Sequence, residues 1–310
     1  AYSATGSGIT SRRMSNQIVL AGSNIGITSS GDAKTLIWDT STIDLSSTNM
    51  TLSNNTTLSV ESQFVDNQTG KPSLLAISGP GTVELKNGDN QISAGIKVGT
   101  LSTLLATATG DVTTGAVDQG HNYFGTGHLN LDNGLTKIVT ADGSTVRLSG
   151  DGMTMSNGAK LVIEGGANTN TVFDGNSAFT GTNTTGSITT SGKLIKKGAG
   201  TTTSVGARLI TPELLIEPDA ILSLTNANLV GVVGTLTLNG GTLAVNGLNQ
   251  TFSSASQVVL NADSHIDFGD GASIVTVGSL NMTADGKYVG RSDLTLNLDN
   301  WDGNASSGGG

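Results

Sequence analysis

The 310-residue chain carries a formal net charge of −9 and no cysteine, with 44 glycines, 4 prolines, 4% aromatic and 13% charged residues. The acidic balance argues against nucleic acid as a partner, because phosphate binding needs clustered Lys and Arg. Missing cysteine excludes disulfides and thiol chemistry, and no apolar run approaches the roughly 20 residues of a membrane-spanning helix. Helix formers such as Glu, Lys, Arg and Gln are scarce while β-branched and turn-forming residues abound. Evenly spaced Val, Leu and Ile separate the chain from disordered sequences, so it reads as all-β.

Residues 1–15 are small and polar around Arg12-Arg13 and read as a lead-in or cap. Short β-prone runs follow at Gln17–Ala21, Leu36–Asp39, Thr42–Leu45, Met50–Leu52 and Thr57–Val60, divided by Ser, Thr and Asn. This spacing leaves no room for helices. Trp38 is expected to pack near the first rungs. Gly79–Val98 joins the strand Thr82–Leu85 to an Asn-rich turn and a second strand at Ile96–Val98. Leu101–Phe124 is less regular, and 115–127 (GAVDQGHNYFGTG) reads as a protruding loop carrying Asp118, His121, Tyr123 and Phe124. Loops held on a rigid scaffold are where binding usually resides, so these four are the binding-loop candidates; the competing reading has the two aromatics cover an apolar edge. Strands resume at Leu129–Leu131, Lys137–Val139, Thr145–Leu148, Met153–Met155 and Lys160–Ile163. A second Asn/Thr/Gly-rich interval, 168–187, contains Phe173 and Phe179 and reads as another protruding loop.

Lys193, Lys196 and Lys197 form the notable basic group and read as a solvated strand end. Gly234–Gly247, GTLTLNGGTLAVNG, is two copies of Gly-Thr-Leu-x-Leu/Val-Asn-Gly. Leu236, Leu238, Leu243 and Val245 fall two apart within each copy, so they line one face of a strand, with Asn-Gly turning the chain. A unit this short buries its apolar side only when neighbours stack above and below it. The length exceeds that of a usual single core, but a stack grows along one axis without enlarging its core. Near the end, Leu294, Leu296 and Leu298 alternate with Thr295, Asn297 and Asp299, and 304–310 reads as a flexible tail.

The pattern Leu-x-Lys-x-Gly-x-Gly-Thr at Leu194–Thr201, with looser versions at Gly79–Val98 and Gly234–Val245, resembles the autotransporter-associated β-strand repeat of bacterial autotransporter passengers and related surface proteins. The run Thr201-Thr202-Thr203-Ser204 departs from it where alternating Leu usually continues. The resemblance implies a right-handed parallel β-helix, export to the cell surface, and adhesive or scaffolding roles. The small residues Ala1-Tyr2-Ser3-Ala4 suit a processed terminus, and the stretch from Ile266 to Gly303 is similar to the region of exported repeat proteins after which further chain follows.

Carboxylate chemistry offers a weak calcium set in Asp267, Asp270, Asp299 and Asp302, since calcium gathers several carboxylates and carbonyls. The spacing matches neither an EF-hand nor a calcium-binding nonapeptide. His121, His128 and His265 lack the spacing of a zinc site, and neither a catalytic carboxylate pair nor a nucleophile elbow is recognisable. The expectation is therefore a parallel β-helix or β-solenoid, continuous over 16–303, acting as a non-catalytic structural or adhesive protein of the bacterial cell surface without a required cofactor. Its partners would be cell-surface glycans or proteins, or a second copy met end to end or laterally. An extracellular filament subunit and a β-helix polysaccharide-degrading enzyme are the alternatives.

Overall fold

A computed structural model describes residues 2–4, 11–20, 24–29, 33–66, 72–114, 122–149, 153–156, 158–174, 178–179, 186–198, 202–228, 230–280 and 293–301. The protein is an all-β parallel solenoid, and the described residues contain no helix. Each circuit of chain makes three short sides. The strands Asn24–Ser29, Lys34–Trp38 and Thr42–Leu45 form one circuit, and they pair in parallel with Thr48–Leu52, Thr56–Val60 and Gln63–Asp66 of the next. Repetition of this circuit builds a seven-stranded sheet on the first side, taken over further along by a six-stranded one, and a 16-stranded sheet that runs along the second side and, through Arg208–Ile216, takes in a column of third-side strands.

Period-two alternation in the sequence becomes vertical rows in the stack, because each strand points alternate side chains inward. Ile25, Met50, Ile77, Val98, Leu131 and Met155 are register partners in one row. Leu36, Leu58, Val83 and Leu104 begin another, which continues through Thr136 to Leu161, Ile188 and Leu209. These side chains are almost all fully buried and belong to one continuous core. Thr136 and Thr171 interrupt such rows, and their buried hydroxyls find no hydrogen-bond partner.

The corners between first and second sides use left-handed backbone. Asn55 and Asn133 sit there at φ 57, and Gly158 at φ 81. Asn and Gly accept this region at little cost. Leu101 occupies the equivalent corner at φ 66 with its side chain 71% exposed. Each of these four residues lies two positions before a register partner in the second sheet: Thr57, Leu135, Lys160 and Thr103.

The third side changes column part-way along the stack. Ile18–Leu20, Thr42–Leu45 and Gln63–Asp66 form a three-stranded sheet. A second column starts at Val112–Thr114 and runs through Thr145–Ser149, Asn170–Asp174 and Lys193–Lys197 to Arg208–Ile216. Between the two columns the first is continued by the Asp89–Asn122 bridge. Asn90, 3% exposed, ties this seam together. Its Oδ1 accepts from the Phe64 N–H at 2.8 Å, while its Nδ2 donates to the carbonyls of Asn87 at 3.0 Å and Tyr123 at 2.8 Å.

Several expectations change. Ser11–Met14 is a strand paired with Thr35–Trp38, so the solenoid already includes residues assigned to the lead-in. In 115–127, residues 122–127 pack into the stack: Tyr123 is 4% and Phe124 1% exposed, because they fill the core where the third side changes column. The interval 168–187 contains the paired strand Asn170–Asp174, with Phe173 wholly buried, and so does not project as one loop. Asp118, His121, Asp302 and 304–310 lie outside the described residues. Leu236, Leu238, Leu243 and Val245 are interior, but the two copies in Gly234–Gly247 occupy successive sides of one circuit. The strand ending at Asn239 rests on 213–216 and 257–262, and Thr242–Ala244 on Ile221–Ser223 and His265–Asp267.

Candidate functional site

The carboxylates proposed for calcium come together only in part. Asp267 and Asp299 are register partners in adjacent turns. Their oxygens are engaged: Asp299 Oδ2 lies 2.6 Å from His265 Nδ1, and Asp267 Oδ1 accepts from Asn300 Nδ2 at 2.8 Å and the Gly269 N–H at 2.9 Å. No group of three or more His, Asp or Glu among the described residues is placed to hold a metal ion.

Several cations on the outer surface pair with acids on their own turn or one or two turns away. Arg13 meets Asp39 and, at 2.8 Å, Glu61, while Lys86 lies 3.7 Å from Glu61 and 3.5 Å from Glu84. Lys137 meets Glu164 at 2.7 Å and Lys97 meets Asp132 at 3.7 Å. Solvent screens such exposed pairs, so each contributes little to stability. The Lys193–Lys197 group divides three ways. Lys193 pairs with Glu213 at 2.8 Å and Lys197 with Asp174 at 3.6 Å, whereas Lys196 points into the core between Phe173 and Ile216. That position is fully buried, and Nζ donates to the Lys197 carbonyl at 2.7 Å. Burial pushes the Lys196 pKa down, against a smaller opposing effect of Asp174. Lys196 is thus a core residue, correcting its assignment to a solvated strand end.

The concave polar feature lies at the corner between second and third sides. In two successive turns this corner is a five-residue loop, 140–144 and then 165–169. The next corner is only Ser191-Gly192, and in the turn after that the strand Arg208–Ile216 bends through Pro212 without a break. Gly192 makes the short corner possible, since a Cβ there would collide with the Thr169 carbonyl. Pro212 lacks an N–H and marks the place where the strand leaves its pairing with 187–189 for pairing with 193–196. Wide corners beside narrow ones leave a shelf.

The resulting groove has a volume of about 350 Å³ and is lined by Ala167, Asn168, Asn170, Gly192, Lys193, Pro212 and Glu213. Register places Asn170, Lys193 and Glu213 in one outward row. Asn168 is pinned from the wide corner before it: its N–H donates to Asp142 Oδ1 at 3.0 Å and its Nδ2 to Oδ2 at 2.9 Å. Donation from the Asn168 side chain, and then from its backbone, holds the Asp142 carboxyl below its usual pKa. Glu213 Oε1 also accepts from Thr237 Oγ1 at 3.4 Å. Chemically the groove presents a carboxamide, a charge-balanced ion pair, and the apolar surfaces of Ala167 and Pro212. Of these groove residues, Asn168 and Asn170 fall in the 168–187 interval that the sequence singles out for contact, whereas Ala167, Gly192, Lys193, Pro212 and Glu213 were not binding candidates. The signal was the shrinking corner between successive strands, readable only once the register is known.

A second hollow, about 300 Å³, is lined by Met14, Ile18, Ile25, Gly26, Ile27, Leu36 and Trp38 in the first turns. It is the apolar end of the core. No family model matches this chain, and no match is found to a curated protein or a solved structure.

Proposed function

We propose that the chain is a non-catalytic structural and adhesive component of the bacterial cell surface, in the manner of an autotransporter passenger or extracellular matrix protein. The observation that carries this reading is the parallel stack that the described residues form from one end to the other. Its inner rows form one core, and several outer cations pair with acids one or two turns away, which suits a stiff support for surface contacts. The resemblance at Leu194–Thr201 supports export. Electron microscopy of the purified protein is expected to give discrete short rods, and immunolabelling of intact producing cells is expected to place it outside them. Label found only after cell lysis would refute the surface assignment.

End-to-end assembly into a filament is a second reading, favoured by exposed Leu280, Leu298 and Trp301 in the last described turns and the apolar hollow in the first. A contact between two different ends of one molecule propagates into filaments. Concentration-dependent fibres in the same micrographs would select it. Release of reducing ends or unsaturated sugars from polysaccharides would instead select the enzyme alternative.

A further inference from the structure

We infer that the groove at Asn168, Asn170, Lys193 and Glu213 is a binding subsite for a neutral saccharide. This deepens the adhesive reading and rests on it for biological context only, because a scaffold stands with the groove empty. Neighbouring sugar hydroxyls each need one donor and one acceptor. The Asn170 carboxamide offers both, Glu213 accepts, and the Lys193 ammonium donates. The row holds these groups on consecutive strands, so their spacing is set by the sheet and they are already ordered before a ligand arrives. Ala167 and Pro212 supply apolar surface for the C–H face of a pyranose ring. The volume, about 350 Å³, falls at the lower end of the roughly 300–1,000 Å³ of small-molecule pockets and suits one or two rings.

Other ligand classes fit less well. Lys193 lies 2.8 Å from Glu213, so the lining carries no surplus charge for a phosphate or a uronic acid. A peptide adding as a strand needs an unpaired sheet edge, whereas the strands here have neighbours on both sides. No aromatic ring lines the groove, so contact is by hydrogen bonding and affinity is expected to be weak, in the millimolar range.

The test is ligand-observed NMR and calorimetry on the whole chain with maltohexaose, cellohexaose, mannohexaose and a galactan oligosaccharide, with a heparin hexasaccharide as the charged comparison. At least one neutral probe is expected to bind. Asn170→Ala, which removes one or more hydrogen bonds, is expected to weaken it by about tenfold or more. Glu213→Ala removes the acceptor and is expected to weaken binding likewise, and Ala167→Trp fills the groove without touching its polar groups and is expected to abolish binding. Gln257→Ala, on the same outward row but two strands beyond Glu213, leaves binding unchanged. No binding by any neutral probe overturns the inference, as does preference for heparin, or binding that survives both Asn170→Ala and Ala167→Trp in folded protein. None of these outcomes alters the rod shape or surface location, so the scaffold reading is judged separately.

Discussion

Replacing Asn90 tests whether the seam is held by one side chain. Asn90→Ala removes two donations and one acceptance at a site 3% exposed, at distances of 2.8–3.0 Å. At about 0.5–1.5 kcal/mol net for each bond, the expected loss is about 3 kcal/mol. The Phe64 N–H and Tyr123 carbonyl belong to the neighbouring turns on either side of Asn90, so the loss concentrates between them. Asn90→Asp sharpens the test. The carboxylate still accepts from Phe64 but faces the Asn87 and Tyr123 carbonyls, which an anion repels, so at neutral pH it is expected to be at least as unstable as Asn90→Ala. Burial among carbonyls raises that carboxyl's pKa in the folded state above the roughly 3.9 of an unfolded Asp. Between those values the folded state binds more protons, so stability recovers as pH falls. A repeat array can unfold in stages, so the assay is amide hydrogen exchange at Phe64 and Gln91 alongside urea unfolding followed by Trp38 fluorescence. About 3 kcal/mol corresponds to an increase in exchange of about 100-fold. An Asn90→Ala protein within about 0.5 kcal/mol of wild type, a shift smaller than one ordinary hydrogen bond predicts, or Asn90→Asp more stable than Asn90→Ala at pH 7, which carbonyl repulsion forbids, would refute the reasoning.

Thr136→Val and Thr171→Val remove buried hydroxyls that have no partner, and each is expected to raise stability by about 1 kcal/mol in urea titrations. The folded-state pKa of Lys196 is depressed, so over the window between that value and the 10.5 of an unfolded lysine the unfolded chain binds more protons and stability rises with pH. Lys196→Met is expected to remove that rise, seen as a flatter plot of unfolding midpoint against pH. Leu101→Asn relieves a left-handed leucine while losing little burial, and Asn133→Leu makes the opposite change at the equivalent corner. The first is expected to raise the midpoint and the second to lower stability by about 1–2 kcal/mol. Asn168→Ala withdraws the donors' side-chain share from Asp142, whose carboxyl pKa, followed by carbon NMR, is expected to move up towards the ordinary aspartate value.

Inward rows were legible wherever apolar residues alternate: Leu236, Leu238, Leu243 and Val245 are all fully buried. The same parity rule places Lys196 inward with Leu194, but charge outweighed period in assigning it to solvent. Tyr123 and Phe124 are buried, as the reading that they cover an apolar edge expected, but not for a reason the local sequence shows. Turn-forming neighbours describe the local backbone, while burial there depends on a change of column spanning Phe64, Asn90 and Asn122. The paired copies at Gly234–Gly247 showed strand period without showing that the vertical repeat is a whole three-sided circuit. The groove was less legible still, since Asn170, Lys193 and Glu213 become neighbours only through register.

The change of column also has a mechanical consequence. Strands lie across the long axis, so backbone hydrogen bonds run along it, and a pull on the two ends of the stack is shared among the sheets crossing each level. Between 129–149 and 153–174, ladders on all three sides share the tension. On either side of 74–91 only two ladders form among the described residues, and the third side contributes the Gln91 N–H bond to the Phe64 carbonyl, the Asp89–Asn122 bridge and the amide of Asn90. A stretched molecule is therefore expected to part beside 74–91 before it parts between 129–149 and 153–174, leaving two shorter rods joined by slack chain.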